Sequence, residues 1–201
     1  MHIGIDFDNT IVNYDDVFYK YDTAEKLITP GIKANKYHIG NTIRKLPDGN
    51  QKWTLLQGKV YGEYILEAKP MHGVKRFLQE CLKRAIPVSV VSHKTQYPAL
   101  GPRVDLREAS IAWLRSQGLF SEYGLAPERI YFADSIDEKI SIITSVGFNL
   151  FIDDLDIILA HKNFPLNIRK IYLSKHKAIN SKDIVQLKSW HSIRKYVFHK
   201  P

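Results

Sequence analysis

The stretch IDFDNT, residues Ile5 to Thr10, closes the short apolar run HIGI and decides how the rest of the chain is read. Asp is a poor strand former and is costly to bury ionised, so two carboxylates two residues apart at a strand end work against folding. Local conflicts of this kind often mark functional sites. If the backbone stays extended as far as Asp8, the period of two sends Asp6 and Asp8 to the same side, where they repel each other and where a cation would relieve the repulsion. The competing reading is an ordinary strand end with a turn, since Asp, Asn and Thr all favour turns and helix N-caps. The choice between the two rests on the remainder of the chain.

Residues 1–9 read as a first strand, and further short apolar runs follow at 87–92 (PVSVVS), 129–133 (RIYFA), 148–152 (FNLFI) and 168–173 (IRKIYL). They show little polar alternation, as expected of strands covered on both faces. Between them, 71–85, 105–117 and 136–146 carry apolar residues at three and four spacing, and Gly118 and Gly147 supply C-terminal stops to two of these helices. Alternating strands and helices predict an α/β fold, a three-layer Rossmann-like parallel sheet. Residues 13–69 break the rhythm. A connection of that length is not a plain loop, so 13–69 reads as a small inserted cap after the first strand, with 1–12 and 70–201 forming the core. Within the insert LPDGNQKW predicts a turn leading into a helix or hairpin, and SWHSIRKYVF near the end predicts a closing helix.

With 201 residues, 44% of them hydrophobic, the chain can bury a proper core. Its 29 Lys and Arg against 21 Asp and Glu leave a net charge of +8, which permits anionic partners; the charges are spread along the chain and form no blocks. The single cysteine, Cys81, excludes an internal disulfide and points to a reducing compartment. The chain shows no basic leader followed by an apolar run and no long apolar span, so the expectation is a cytoplasmic, soluble protein with no membrane partner.

In open parallel sheets, ligands bind beyond the carboxyl ends of the strands. There the first strand ends in Asp6 and Asp8, the second in Ser92 followed by His93, Lys94 and Thr95, and the fourth in Asp153 and Asp154. Asp134, after the third, reads as a cap for the next helix. Asp156 reads as the N-cap of IILAHK, with a third acid of the site as the other option. His93 should point away from Ser92 if the backbone is still extended.

The chain resembles the haloacid dehalogenase-like superfamily. Its phosphatases carry an Asp-x-Asp-x-Thr/Val strand end, a Ser or Thr after the second strand, a Lys on a helix and a final acidic pair. This sequence has DFDNT at 6–10, VVS ending at Ser92, DEK ending at Lys139 and FIDD ending at Asp154, in the same order. More loosely, it is similar to the deoxyribonucleotidase-like branch. The resemblance implies a Mg²⁺-dependent phosphomonoester hydrolase acting through an aspartyl-phosphate, with Asp6 as nucleophile and Asp8 as acid and base. It places Mg²⁺ on the Asp6 carboxylate, the Asp8 carbonyl and the pair Asp153 and Asp154, leaving open which of the pair touches the ion. Ser92, Thr10 and a lysine, Lys139 or Lys94, would hold the phosphoryl group.

The loop SHKTQYPALGPRVDLREA would border the site, where Tyr97 and Arg103 could grip a second part of the substrate, and Tyr14 of the insert could stack on a sugar or base. The expected substrate is a small phosphate ester, a sugar phosphate or nucleotide. A 3′- or 5′-phosphatase on nucleic-acid ends is the alternative among enzymes, and a non-catalytic phosphate-binding protein is the alternative outside them.

Overall fold

Six strands form one sheet in which each ladder is parallel, as short apolar runs alternating with helices require. From edge to edge the order is Ile130–Ala133, Val88–His93, Ile3–Ile5, Leu150–Asp153, Arg169–Leu173 and Ile184–Leu187. The first strand in sequence is therefore central, between Val88–His93 and Leu150–Asp153. Strand order reverses at this place, and the crevice beyond the strand ends there is the ligand position of doubly wound sheets. The computed structural model describes residues 1–28, 31, 35–175 and 178–199.

Gly4 makes the central position possible. A Cβ there would lie 2.4 Å from Cδ2 of Phe151 and 2.9 Å from Cδ2 of Phe148, so the strand needs a residue without a side chain to let these rings close over it. Ile3 and Ile5 on either side are fully buried. The strand is shorter than the predicted 1–9, running only from Ile3 to Ile5. The ladder stops because Asn9 takes a left-handed conformation, φ 58°, and the N–H groups of Ile11 and Val12 both donate back to the Phe7 carbonyl. The predicted helix 136–146 is found as Ile136–Val146, stopped by Gly147 at φ 69°. Its N-cap is Ser135 in place of the expected Asp134, because the Ser135 hydroxyl accepts the Glu138 N–H. Leu155, not Asp156, occupies the N-cap of the short helix Asp156–Leu159. The edge strand Ile184–Leu187 has no counterpart in the sequence reading.

The chain divides into two compact units, one made of Met1–Val12, Pro70–Lys94 and Gln117–Pro201, the other of Asn13–Lys69 and Thr95–Ser116. The first holds the sheet. The second contains helices Asp15–Ala24, Lys36–Ile43, Gly49–Tyr61 and Leu106–Ser116. The sequence reading puts 95–116 with the core. The structure groups it with the insert because Trp113, fully buried, donates its indole N–H to the Ala68 carbonyl at 2.8 Å. The core of this unit is aromatic: the Tyr14 ring lies 4.9 Å from Tyr61, and Phe18 stacks on Trp53, also at 4.9 Å.

Asp22, on Asp15–Ala24, is fully buried, and its Oδ2 has no hydrogen-bond partner among the described residues. Burial pushes this carboxyl up to about 6, with the Thr23 hydroxyl and backbone N–H pulling weakly the other way. The folded state thus holds a proton that the unfolded chain, near 3.8, releases earlier. Its contribution to stability is present below about 4 and declines as pH rises through about 6. Asp22→Asn is expected to raise the thermal midpoint at pH 8 and to leave it unchanged at pH 4. Equal shifts at both pH values would show that the carboxylate is not the source of the cost.

Candidate active site

The carboxyl end of the central strand delivers Asp6, whose backbone N–H extends the sheet by donating to the Ile152 carbonyl at 2.9 Å. Its side chain is 8% exposed. An isolated carboxylate at that depth would be untenable, so its partners define the site. Lys139 reaches Asp6 Oδ1 at 2.6 Å and Asp153 Oδ2 at 2.7 Å while being fully buried itself. The Thr10 hydroxyl donates to Asp6 Oδ2 at 3.1 Å and lies 3.5 Å from Asp154 Oδ1. Asp153 uses its second oxygen to accept the Leu155 N–H at 2.9 Å.

The electrostatics follow from this packing. Burial raises the Asp6 carboxyl to about 7; Lys139 opposes that rise, and the charges of Asp153 and Asp8 add to it. For Lys139, burial alone would lower the ammonium, but Asp153 and Asp6 outweigh it and hold the group above the usual lysine range. Lys139 is therefore a permanent cation between two buried acids.

Asp8 sits nearer the surface, its side chain 19% exposed, and accepts from Lys94 at 3.0 Å. Lys94 is itself 4% exposed and is held at the strand end by its backbone N–H, which donates to the Ala133 carbonyl. The two lysines that compete in sequence thus take different carboxylates: Lys139 serves Asp6 and Asp153, and Lys94 serves Asp8. Ser92 is fully buried, and its Oγ has no hydrogen-bond partner among the described residues. His93, the last residue of the strand Val88–His93, is exposed.

Asp6, Asp153 and Asp154 each offer a carboxylate oxygen, and these atoms lie within 4.8 Å of one another. Ligand oxygens across an octahedral Mg²⁺ stand about 4.2 Å apart, so small side-chain adjustments would let this set hold the ion. Four acids, Asp6, Asp8, Asp153 and Asp154, stand against two lysines, Lys94 and Lys139, so the formal charge of the cluster is negative and favours a cation.

The structure thus brings Asp6, Asp8, Thr10, Ser92, Lys94, Lys139, Asp153 and Asp154 into the sheet-bearing unit. Tyr14, Tyr97 and Arg103 belong to the other. Tyr14 is 1% exposed and packs in that unit's aromatic core, while the exposed Arg103 stacks on the Tyr97 ring at 4.2 Å. Sequence reasoning missed Trp190, whose indole N–H donates to the Thr10 carbonyl at 2.8 Å and fixes the turn that carries the Thr10 hydroxyl to Asp6. The two residues are 180 positions apart, and no local pattern links them.

No family model matches the chain, and no curated protein does. Solved structures do. A putative haloacid dehalogenase-like hydrolase from Burkholderia xenovorans aligns with a TM-score of 0.58 at 15% identity, covering 97% of this chain and 99% of that one. A HAD family hydrolase from Deinococcus radiodurans, solved with bound phosphate and sodium, gives 0.57 at 12% identity over 98% and 94%. A dehalogenase solved as an intermediate complex gives 0.57 at 11% identity over 100% and 97%. The strand order, the placement of the acids at the central strand end and these likenesses agree: the chain has the haloacid dehalogenase-like fold.

Proposed function

We propose that this protein is a Mg²⁺-dependent phosphomonoester hydrolase acting through an aspartyl-phosphate on Asp6. What supports the reading is one rim of the sheet that combines three carboxylates able to hold a cation with a buried hydroxyl, Ser92, that has no hydrogen-bond partner among the described residues. A phosphoryl oxygen is the acceptor such a donor needs.

Asp6 attacks phosphorus, and the bond from phosphorus to the alcohol oxygen breaks. Asp8 gives its proton to that oxygen, then takes a proton from the water that attacks the aspartyl-phosphate, releasing phosphate and restoring both acids. Lys139 orients Asp6 and opposes the rise that burial imposes on its carboxyl. Lys94, beside Asp8, and Ser92 receive the phosphoryl oxygens. Asp6 would hold the cation together with the Asp8 carbonyl and the pair Asp153 and Asp154, whose carboxylate oxygens lie within 4.8 Å of one another and of that of Asp6. The ion supplies charge neutralisation at the phosphoryl group.

Carbon–halogen cleavage, the activity named for one structural neighbour, fits less well. A halide leaves without a proton and there is no phosphoryl group to neutralise, so Asp8 would have no work as an acid and the cation site would have no task. In this reading the Asn13–Lys69 insert is a cap that selects small phosphate esters such as sugar phosphates or nucleotides. No described helix is long and apolar enough to cross a membrane, and the free buried Cys81 suits a reducing, cytoplasmic setting. The net charge of +8 permits a second reading, phosphate removal from nucleic-acid ends.

The test is phosphate release from sugar phosphates, nucleotides and end-phosphorylated oligonucleotides, with Mg²⁺ or with chelator, for wild type and Asp8→Asn. Turnover should require the metal and fall by about 10²- to 10⁴-fold in the variant, the range typical of a lost general acid. Metal-independent turnover, or full turnover by Asp8→Asn, would remove the mechanism. A preference for oligonucleotides that fades steeply with salt would select the second reading.

A further inference from the structure

The turn that follows the central strand carries the Thr10 hydroxyl to the acids, and the six-stranded sheet no longer holds it. Strand pairing ends at Ile5, with one further bond from the Asp6 N–H. Beyond that point the local bonds are those of the Ile11 and Val12 N–H groups to the Phe7 carbonyl. Two bonds from distant parts of the chain add to them. The Met71 N–H donates to the Ile11 carbonyl at 2.7 Å, and the Trp190 indole N–H donates to the Thr10 carbonyl at 2.8 Å.

Thr10 stands between two acids of the cation set. Its hydroxyl has one proton to donate, with Asp6 Oδ2 at 3.1 Å and Asp154 Oδ1 at 3.5 Å, and the residue is fully buried. A small displacement of the Thr10 backbone therefore changes both contacts at once. Misplacements of this kind, far from the reacting atoms, are costly to catalysis.

Trp190 is well seated to prevent one. It is the first residue of the helix Trp190–Phe198, whose start is closed by a capping box between Ser189 and Ser192. Its ring lies 4.9 Å from that of Phe77 on Val74–Lys83, and a Cβ at Gly73 would come within 3.1 Å of the Trp190 Cβ, so glycine leaves room for this approach. The indole is buried, and its N–H needs an acceptor inside the protein. Any carbonyl would meet that need. The one it takes belongs to the residue whose side chain faces both acids.

We propose that Trp190 is a positioning residue of the acid-lined rim: by holding the Thr10 carbonyl it keeps the Thr10 hydroxyl on Asp6 and beside Asp154, so the closing helix prepares both the nucleophile and the cation site. The inference rests on the hydrolase reading of that rim. Trp190 touches neither substrate nor ion, and it acts through Thr10 alone.

The experiment measures Mg²⁺ affinity by calorimetry, kcat and KM on the best phosphate ester, and thermal melts, for wild type, Trp190→Phe and Phe77→Leu. Trp190→Phe removes the N–H and keeps a ring beside Phe77; Phe77→Leu loosens the same packing and leaves the N–H in place. Trp190→Phe is expected to bind Mg²⁺ about fivefold more weakly, the size of one lost hydrogen bond, and to lower kcat by about tenfold with KM within about twofold. Phe77→Leu is expected to lower the melting midpoint and to keep affinity and kcat. In wild type, the Trp190 indole N–H resonance, assigned through its contacts with the Phe77 ring, is expected to shift saturably as Mg²⁺ binds, a readout that needs no variant to fold. Unchanged affinity and kcat in Trp190→Phe, equal losses in both variants, or an indole resonance that ignores the ion would overturn this inference and leave the hydrolase reading standing. A wild type that neither binds Mg²⁺ nor releases phosphate would overturn both.

Discussion

Asp6→Asn is expected to abolish turnover, by about 10⁴-fold or more, without destabilising the protein. The size of the loss follows from the role: an amide cannot form the phosphoenzyme, and removing a nucleophile leaves only what binding and electrostatics supply. The stability follows from the environment. Burial pushes the Asp6 carboxyl up to about 7, so a neutral isostere removes a charge that the fold holds at a cost. Lys139 keeps Asp153 as a partner at 2.7 Å, and the Thr10 hydroxyl can still donate to an amide oxygen. Phosphate release and thermal melts of the same preparation give both readouts. Activity within tenfold of wild type would show that Asp6 is not the nucleophile. Lost activity with a collapsed midpoint would show that its role is structural.

Much of this site is legible in sequence because its parts lie at the ends of short apolar strands, where polar residues stand out. Asp6, Ser92 and Asp153 each end or follow a run of buried residues, and their convergence follows from a parallel sheet with a central first strand. The sequence reading has His93 pointing away from Ser92; the strand is buried from Val88 to Ser92, and His93, its last residue, is exposed. The features that sequence reasoning missed depend on distant contacts or on weak patterns. Trp190 reads as an ordinary apolar residue of a closing helix, and its bond to Thr10 exists only once the fold has formed. The strand Ile184–Leu187 has one buried residue and sits at the sheet edge, so it lacks the apolar run that marks the inner strands. The helix Leu106–Ser116 has the spacing of a core helix, but periodicity shows only that a face is buried, not against which unit.

Lys139 carries the second large prediction, because in sequence it is a commonplace lysine on a charged helix start and in the fold it is fully buried between two acids. Lys139→Met keeps the length of the side chain and removes its charge, leaving Asp6 and Asp153 buried and facing one another. Breaking a buried pair in this way costs about 3–5 kcal/mol, far more than the loss of a surface ion pair. Turnover should also fall sharply, since Asp6 would lose the contact that holds Oδ1. A merely damaged fold would give the same two losses, so the discriminating measurement is a cycle with Asp153→Asn. If the cost comes from uncompensated charge, adding Asp153→Asn to Lys139→Met should restore stability, with a coupling of at least about 1 kcal/mol. Mg²⁺ should likewise raise the midpoint of Lys139→Met by more than that of wild type, because the ion would be the remaining cation available to those acids. Additive losses in the cycle, together with equal Mg²⁺ shifts in both proteins, would mean that Lys139 supports the site by packing alone and that its charge has no part in holding Asp6.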